Sequence, residues 1–385
     1  MTKPYTLYAA PSSLYSGRVR SWFRKREIPM IEVLPSIPRY RAVVRPAIGN
    51  HRIPAVETPD GAFIQDSTVI LDTLEVRHPE RPATPPGPAR RIAMRLLEVL
   101  LLDGLIRPAM HYRWNFLHEQ GHFIVSEFGR SLKPRGTPEE IETAGRRVAE
   151  KMAGKLAPLG VIPDTIPEIE ASFHDLLRHL EACAFATPYL LGELPSLADY
   201  ALMGPLYAHL GRDPVPHKIM RTTAPSVARW VEQMNEPGVA SPEFPEGATA
   251  WSDSDIVPEP TRKLLAMTAR DLGPELVANV EAWNSHCNDH EDAPAGSPIT
   301  GDGMDQPSLP EVRFRFRGAT LLAGVRVQTL WMLQRALDEW TCMGAQDRSA
   351  CTGLLEQTGA DTLLGLKMLR RVDRKNNRLV FGQTA

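Results

Sequence analysis

The segment YTLYAAPSSLYSGRVRSWF, Tyr5 to Phe23, reads as a strand, an abrupt turn and a helix. Tyr5, Leu7 and Tyr8 lie in a short run that stops at Pro11, as strands do. Ser12, Ser13 and Ser16 then place hydroxyls where a helix leaves its first N–H groups unpaired. Arg18 to Phe23 continue at helical spacing until Ile28-Pro29. A helix N-terminus stabilises negative charge through its dipole and its free donors, and a thiolate held there has a depressed pKa. The stretch has no cysteine, so any thiolate held at this turn comes from a ligand.

Two further stretches follow in order. HRIPAV, His51 to Val56, puts Pro54 directly before the apolar start of a strand. Taken alone, it fits a trans proline at a strand edge; a cis bond there would be a positioned feature, because such bonds are a small minority. GAFIQDSTVI, Gly61 to Ile70, ends a strand on Gln65 and opens a helix through Asp66, Ser67 and Thr68. Val69, Ile70, Leu71 and Leu74 give that helix an apolar face, which stops at His78-Pro79. A helix start bearing a short hydroxyl offers N–H and O–H donors to a carboxylate, although plain capping explains Asp66 and Ser67 equally well in isolation.

The ordered set resembles the glutathione-binding domain of the glutathione S-transferase superfamily, a thioredoxin-like α+β fold, and the likeness extends over Tyr5 to Met234. Where thioredoxin-like proteins carry Cys-x-x-Cys, this chain has Ser13-Leu14-Tyr15-Ser16, so redox chemistry that needs a protein sulfur is disfavoured. The turn is similar to that of the serine-type transferases, whose serine hydroxyl donates to the glutathione sulfur. The resemblance thus implies Ser13 as the catalytic hydroxyl. Ser12 is the alternative under one residue of slippage, and Tyr15 is a third because tyrosine has this role in other branches. Capping without catalysis also fits all three. The resemblance further implies that Pro54 is cis and that the backbone of Ile53 pairs with the cysteinyl part of glutathione. Gln65 and Ser67 would hold the γ-glutamyl end, with Asp66 on its ammonium.

The remainder of the chain agrees with an all-helical second half. PERPATPPGP, Pro79 to Pro88, continues neither helix nor sheet and reads as a linker over 81–88. Helical patterns run from Ala89 to His118, with a break expected at Pro108, from Pro138 to about Met152, and from Ile169 to about Ala184. Ser196-Leu197-Ala198-Asp199 matches a capping box before an apolar helix, which makes Ser196 and Asp199 structural. In the transferase architecture Tyr112, Arg113 and Trp114 would face the cleft as walls of a second-substrate pocket, though a core cluster fits them as well. The expected organisation is a thioredoxin-like domain over 1–80, an all-α domain over 89–236, and a mixed α/β extension over 237–385 packed on the body. In the extension, helix is expected from Thr261 to about His286, a loop over Glu291 to Pro310, and a hairpin of Glu311 to Arg317 with Ala319 to Val325. Two helices are expected over Thr329 to Trp340 and Ala350 to Arg371. Trp331, Leu333, Leu337 and Trp340 form a bulky stripe that short helices alone could hardly bury.

Composition bounds the function. An apolar content of 43% supports a large core, and the longest apolar runs fall far short of the ~20 residues that span a bilayer. A net charge of −2 gives no electrostatic case for nucleic acid or membrane surfaces. Phe314 and Phe316 among Arg313, Arg315 and Arg317 are explained by a half-buried strand as well as by nucleic-acid contact. Cys183, Cys287, Cys342 and Cys351 lack metal spacing, and His286-Cys287-Asn288-Asp289-His290 has no second ligand cluster, so no metal is expected. A cytoplasmic protein in a reducing compartment is expected.

The resemblance implies a homodimeric detoxification enzyme. It would bind glutathione as the thiolate and use it on a small apolar electrophile, by conjugation, isomerisation or lyase chemistry. The competing expectation is a non-catalytic module of the same fold whose extension binds a partner.

Overall fold

The computed structural model describes residues 3–300 and 307–384. Its N-terminal unit is a four-stranded sheet of β1 (Tyr5–Tyr8), β2 (Met30–Val33), β3 (Ala55–Glu57) and β4 (Phe63–Gln65), in the order β2-β1-β3-β4. β1 runs parallel to β2 and antiparallel to β3, which is antiparallel to β4. The parallel pair requires a crossover, and α1 (Leu14–Lys25) provides it. A π-helical turn over Tyr40–Val44 runs into α2 (Arg45–Ile48), and α3 (Ser67–Arg77) follows β4. Side chains alternate across the sheet, as a period of two requires. Tyr5, Leu7 and Val56 face the main core with α1 and α3, whereas Tyr8 and Ala55 face a small cluster with Tyr40, Val44 and Ile48. This is the thioredoxin-like arrangement that the three motifs imply.

The helical half comprises α4 (Pro88–Gly104), α5 (Ile106–Trp114), α6 (Leu117–Leu132), α7 (Pro138–Ala153), α8 (Ile166–Ala186), α9 (Leu197–Pro205), α10 (Pro214–Thr223) and α11 (Pro225–Gln233). Proline lies in the opening residues of α4, α7, α8, α10 and α11, where a missing N–H leaves no helical bond unmade. The break expected at Pro108 falls at Leu105, because Pro108 is tolerated in the first turn of α5. No helix was expected over α6. Gly17 on α1 and Gly204 on α9 face each other, and a Cβ on Gly204 would stand 3.0 Å from the Leu14 carbonyl. Their absence of side chains sets how closely the site helix meets the core.

The extension contains α12 (Glu259–Asp289), β5 (Ser308–Phe316), β6 (Ala319–Arg326), α13 (Val327–Cys342), α14 (Ala345–Thr358), α15 (Asp361–Leu364), β7 (Arg370–Lys375) and β8 (Arg378–Thr384). The β5–β6 hairpin pairs Phe314 with Leu321 and Phe316 with Ala319. Phe314 and Phe316 are buried while Arg313 and Arg315 are exposed, so burial against α12 accounts for the alternation. The expected loop at Glu291 to Pro310 lies partly outside the described residues, since 301–306 are not described. The helix expected over Ala350 to Arg371 ends instead at Thr358. Gly359 adopts φ 66°, a left-handed C-terminal conformation that glycine takes without steric cost. Beyond α15 the chain forms the β7–β8 hairpin, which was not expected. Asn376 and Asn377 both have positive φ at its two-residue turn, as a tight hairpin of right-handed twist demands.

The extension packs on the body. α12 lies against α4 and α8, and α13 lies against α4. Arg107 and Glu275 form a buried bidentate pair at 2.6 and 2.7 Å, and Arg335 of α13 grips Asp72 of α3 at 2.5 and 2.8 Å. One continuous apolar core includes Leu97 of α4, Leu264 of α12 and Leu333 of α13, with Trp331, Leu337 and Trp340 packed against it.

Candidate functional site

The strand register brings the three motifs to one end of the sheet. Tyr8 at the end of β1 pairs with Ala55 at the start of β3, and Ala55 pairs with Gln65 at the end of β4. The turn after β1, the Ile53-Pro54 peptide before β3 and the turn after β4 therefore leave the sheet on the same side. Residues separated by fifty positions converge there because antiparallel pairing reverses the chain direction.

Ser13 caps α1. Its hydroxyl oxygen accepts the Ser16 N–H at 3.3 Å, which leaves its own hydrogen free to donate. Ser12 is buried, and its carbonyl accepts from Arg113 Nη1 at 3.0 Å. Tyr15 lies in the first turn of α1. Burial, and next the nearby Asp103 carboxylate, push its phenol up, so it stays a neutral donor. Asp103 itself accepts from Arg326 at 3.3 Å and from Thr329 Oγ1 at 2.8 Å, both in the extension.

The Ile53–Pro54 peptide is cis. Among the described residues, Ile53 has no backbone hydrogen-bond partner, which leaves an N–H and a carbonyl available to an extended peptide. Gln65, Asp66 and Ser67 are all buried. Asp66 adopts φ 81°, a conformation seldom taken by a residue with a side chain. Its Oδ1 accepts the Thr68 N–H at 2.9 Å and the Val69 N–H at 3.4 Å, capping α3. No hydrogen bond among the described residues engages the Ser67 hydroxyl.

Beneath the site runs a buried ionic chain. Arg18 of α1 donates to Thr68 Oγ1 at 2.8 Å and is ion-paired to Glu98 of α4. Burial alone would raise the Glu98 carboxyl, but Arg335, Arg18 and Arg95 hold it below its ordinary range.

Tyr112, Arg113 and Trp114 do not wall a cleft. All three are buried: Tyr112 stacks on Phe116, and Trp114 Nε1 donates to Met110 sulfur at 3.3 Å. Arg113 is held by Asp213 at 2.6 and 2.8 Å. The arginine therefore buttresses the Ser12 turn from below, a role its sequence position did not reveal. Asp199 accepts from Ser196 N at 2.8 Å, Ser196 Oγ at 2.7 Å and Leu190 N at 2.8 Å, so it organises the start of α9. His286 and His290 lie in an aromatic cluster with Trp283 and Phe381, and no group of metal-ligating side chains occurs among the described residues. All four cysteines are free thiols. No helix of the described residues is long and apolar enough to cross a membrane.

The residue that sequence reasoning missed is Arg374 of β7. Its guanidinium reaches Asp66 Oδ2 at 3.5 Å and Gln65 Oε1 at 3.3 Å.

Residues 7–82 match the family model described as "Glutathione S-transferase, N-terminal domain". Solved structures with partial likeness include a glutathione S-transferase from Methylobacterium radiotolerans in complex with glutathione sulfonate. It is 20% identical over 66% of this chain and 97% of its own, with a TM-score of 0.37. The beta-etherase LigF from Sphingobium sp. is 18% identical over 64% of this chain and 98% of its own, at a TM-score of 0.38. FzlA from C. crescentus is 19% identical over 69% and 92%, at 0.34.

Proposed function

We propose that this chain, whose residues 7–82 match the glutathione S-transferase N-terminal domain, binds glutathione as the thiolate and presents it to a small apolar electrophile. The observation that carries this reading is the register Tyr8–Ala55–Gln65, which sets the Ser13 hydroxyl, the unpaired Ile53 backbone and the Ser67 hydroxyl at one sheet end. A peptide thiol laid across that end would meet a hydroxyl donor and a helix N-terminus at its sulfur. Its cysteinyl backbone would meet Ile53, and its γ-glutamyl end would meet Gln65, Asp66 and Ser67.

Ser13 is the residue we assign to the sulfur. Its oxygen is held by Ser16 N–H and its hydrogen is unengaged, so it can donate to a thiolate without breaking the cap. A charge-assisted bond of this kind contributes about 1.5–3 kcal/mol. That lowers a thiol pKa from about 8.5 toward neutrality, where the sulfur is the nucleophile. Tyr15, whose phenol burial keeps neutral, is the alternative donor in the same turn, as is Ser12.

The reading also takes residues 1–80 as the ligand domain, 89–236 as the helical domain after an 81–88 linker, and 237–385 as the extension. It includes a cytoplasmic homodimer. Sedimentation at micromolar concentration tests the last point, and a single 42.8 kDa species would remove it. Calorimetric titration with glutathione beside an aryl-halide conjugation assay tests the function. Binding with turnover supports the enzyme; binding without turnover across a broad electrophile panel supports a non-catalytic module; no binding overturns the reading.

A further inference from the structure

Arg374 of the extension differs from Arg335 and Arg371 in how it meets its carboxylate. Arg335 grips Asp72 through both Nη atoms at 2.5 and 2.8 Å, and Arg371, on the same strand, grips Asp338 at 2.7 and 2.6 Å. These are bidentate pairs, the geometry a guanidinium adopts when a carboxylate is free to meet it. The Arg374 side chain is only 11% exposed, yet its two contacts are long: 3.5 Å to Asp66 Oδ2 and 3.3 Å to Gln65 Oε1. A buried guanidinium held by contacts this long can still take a closer anion, which would gain a charge-assisted bond there.

Its position is fixed rather than accidental. The guanidinium lies over the Trp331 ring at 5.3 Å. Its strand is tied to α13 because Val372 N donates to Gln334 Oε1 at 2.9 Å and Gln334 Nε2 donates to the Val372 carbonyl at 3.2 Å. The hairpin tip is tied to the N-terminal domain by Asn377 Nδ2, which donates to the Ile48 carbonyl at 3.0 Å. The extension therefore delivers a cation to the turn that follows β4.

The result is a carboxylate and a guanidinium side by side, with the unengaged Ser67 hydroxyl on the next residue. An α-amino acid head group carries the complementary charges on one carbon: an ammonium for Asp66 and a carboxylate for Arg374. We propose that Arg374 completes the γ-glutamyl end of the site by pairing with the ligand's α-carboxylate, so that the C-terminal extension, not the glutathione-binding domain alone, selects the zwitterionic end. This rests on the glutathione reading above, and it adds a binding residue from a segment that the family match over 7–82 does not include.

The test uses the full chain as wild type, Arg374→Gln and Arg374→Lys, each checked by thermal melting, and measures affinity for three ligands. They are glutathione, its analogue with a 4-aminobutanoyl group in place of γ-glutamyl (no α-carboxylate), and its analogue with a glutaryl group (no α-ammonium). Arg374→Gln should weaken glutathione ten- to a hundredfold, and Arg374→Lys should weaken it less. The aminobutanoyl analogue should bind wild type weakly and be indifferent to the substitution, whereas the glutaryl analogue should remain sensitive to it. If Arg374→Gln binds glutathione as wild type does, or weakens all three ligands equally, the pairing is wrong while the glutathione reading stands. A wild type with no affinity for glutathione would overturn both.

Discussion

Arg113 on α5 donates through Nη1 to the carbonyl of Ser12 at 3.0 Å, so the site turn rests on the helical half of the molecule. The same guanidinium is locked by Asp213, and both side chains are almost wholly buried. Burial pushes the Asp213 carboxyl up, although the Arg113 charge opposes it.

Removing one member of such a pair strands the other charge in the interior. Arg113→Gln should destabilise the fold by about 3–5 kcal/mol and loosen the turn bearing Ser12 and Ser13. Denaturant unfolding should show the first effect, and faster amide exchange at Ser13 to Tyr15 the second. Asp213→Asn should share the stability loss. A variant with wild-type stability would show that this ion pair does not hold the turn.

The extension should loosen in acid. The folded-state pKa of Glu98 lies below its ordinary 4.5. A depressed carboxyl stabilises the fold above the unfolded value and loses that contribution as pH falls through the folded one. As pH falls below the ordinary carboxylate range, the contact of Arg335 and Arg18 with Glu98 should therefore weaken. Glu98→Gln should produce similar loosening at neutral pH. Proteolysis around residues 291–300 followed by sizing reads this: the fragments should stay associated at pH 7 and separate more readily in acid or in the variant. Separation equal at both pH values would exclude a role for Glu98.

Asp199 should act in the opposite direction. Burial pushes its carboxyl up from 3.8 to about 6, against the bonds it accepts from Leu190 N and Ser196. A raised carboxyl favours folding most below the unfolded value, and that contribution is lost as pH rises through the folded one. Between about pH 4 and 6 wild type should lose about 2–3 kcal/mol through this group, a slope absent from Asp199→Asn. Ser196→Ala, which removes a cap partner, should cost about 0.5–2 kcal/mol. Identical pH–stability slopes for wild type and Asp199→Asn would contradict the assignment.

Gly204 offers a stability probe that reports on the site. A Cβ there meets the Leu14 carbonyl at 3.0 Å, at the start of α1. Gly204→Ala should cost about 1–3 kcal/mol through overpacking and displace the N-terminus that carries Ser13. Glutathione affinity should fall with it. Unchanged melting and unchanged affinity would show that α1 can shift freely.

Local signals made the site turns and the α9 cap legible in the sequence. Ser13, Pro54, Asp66 and the Ser196–Asp199 box each act within a few residues of chain, where hydroxyls, prolines and short acids have strong positional meaning. The β5–β6 hairpin was legible because Phe314 and Phe316 alternate with exposed arginines over a long enough run. The β7–β8 hairpin was not: Arg370 to Lys375 has one apolar residue, Val372, too few to show a period. Arg113 stayed open between cleft wall and core cluster, because burial and a partner at Asp213 leave no trace in spacing. Arg374 was invisible for the same reason, since its contacts at Gln65 and Asp66 lie at the far end of the chain.

The central claim is that the Ser13 hydroxyl holds a glutathione thiolate, and the most direct measurement is the ultraviolet titration of the bound thiol in wild type and Ser13→Ala. Wild type should titrate below the free-thiol value of about 8.5. Ser13→Ala should still bind glutathione, with the thiol pKa raised by roughly one to two units and most turnover lost. An unchanged titration in Ser13→Ala, with loss in Ser12→Ala or Tyr15→Phe instead, would move the assignment within the turn. If none of the three substitutions shifts the titration, these residues only cap α1, and the claim is contradicted.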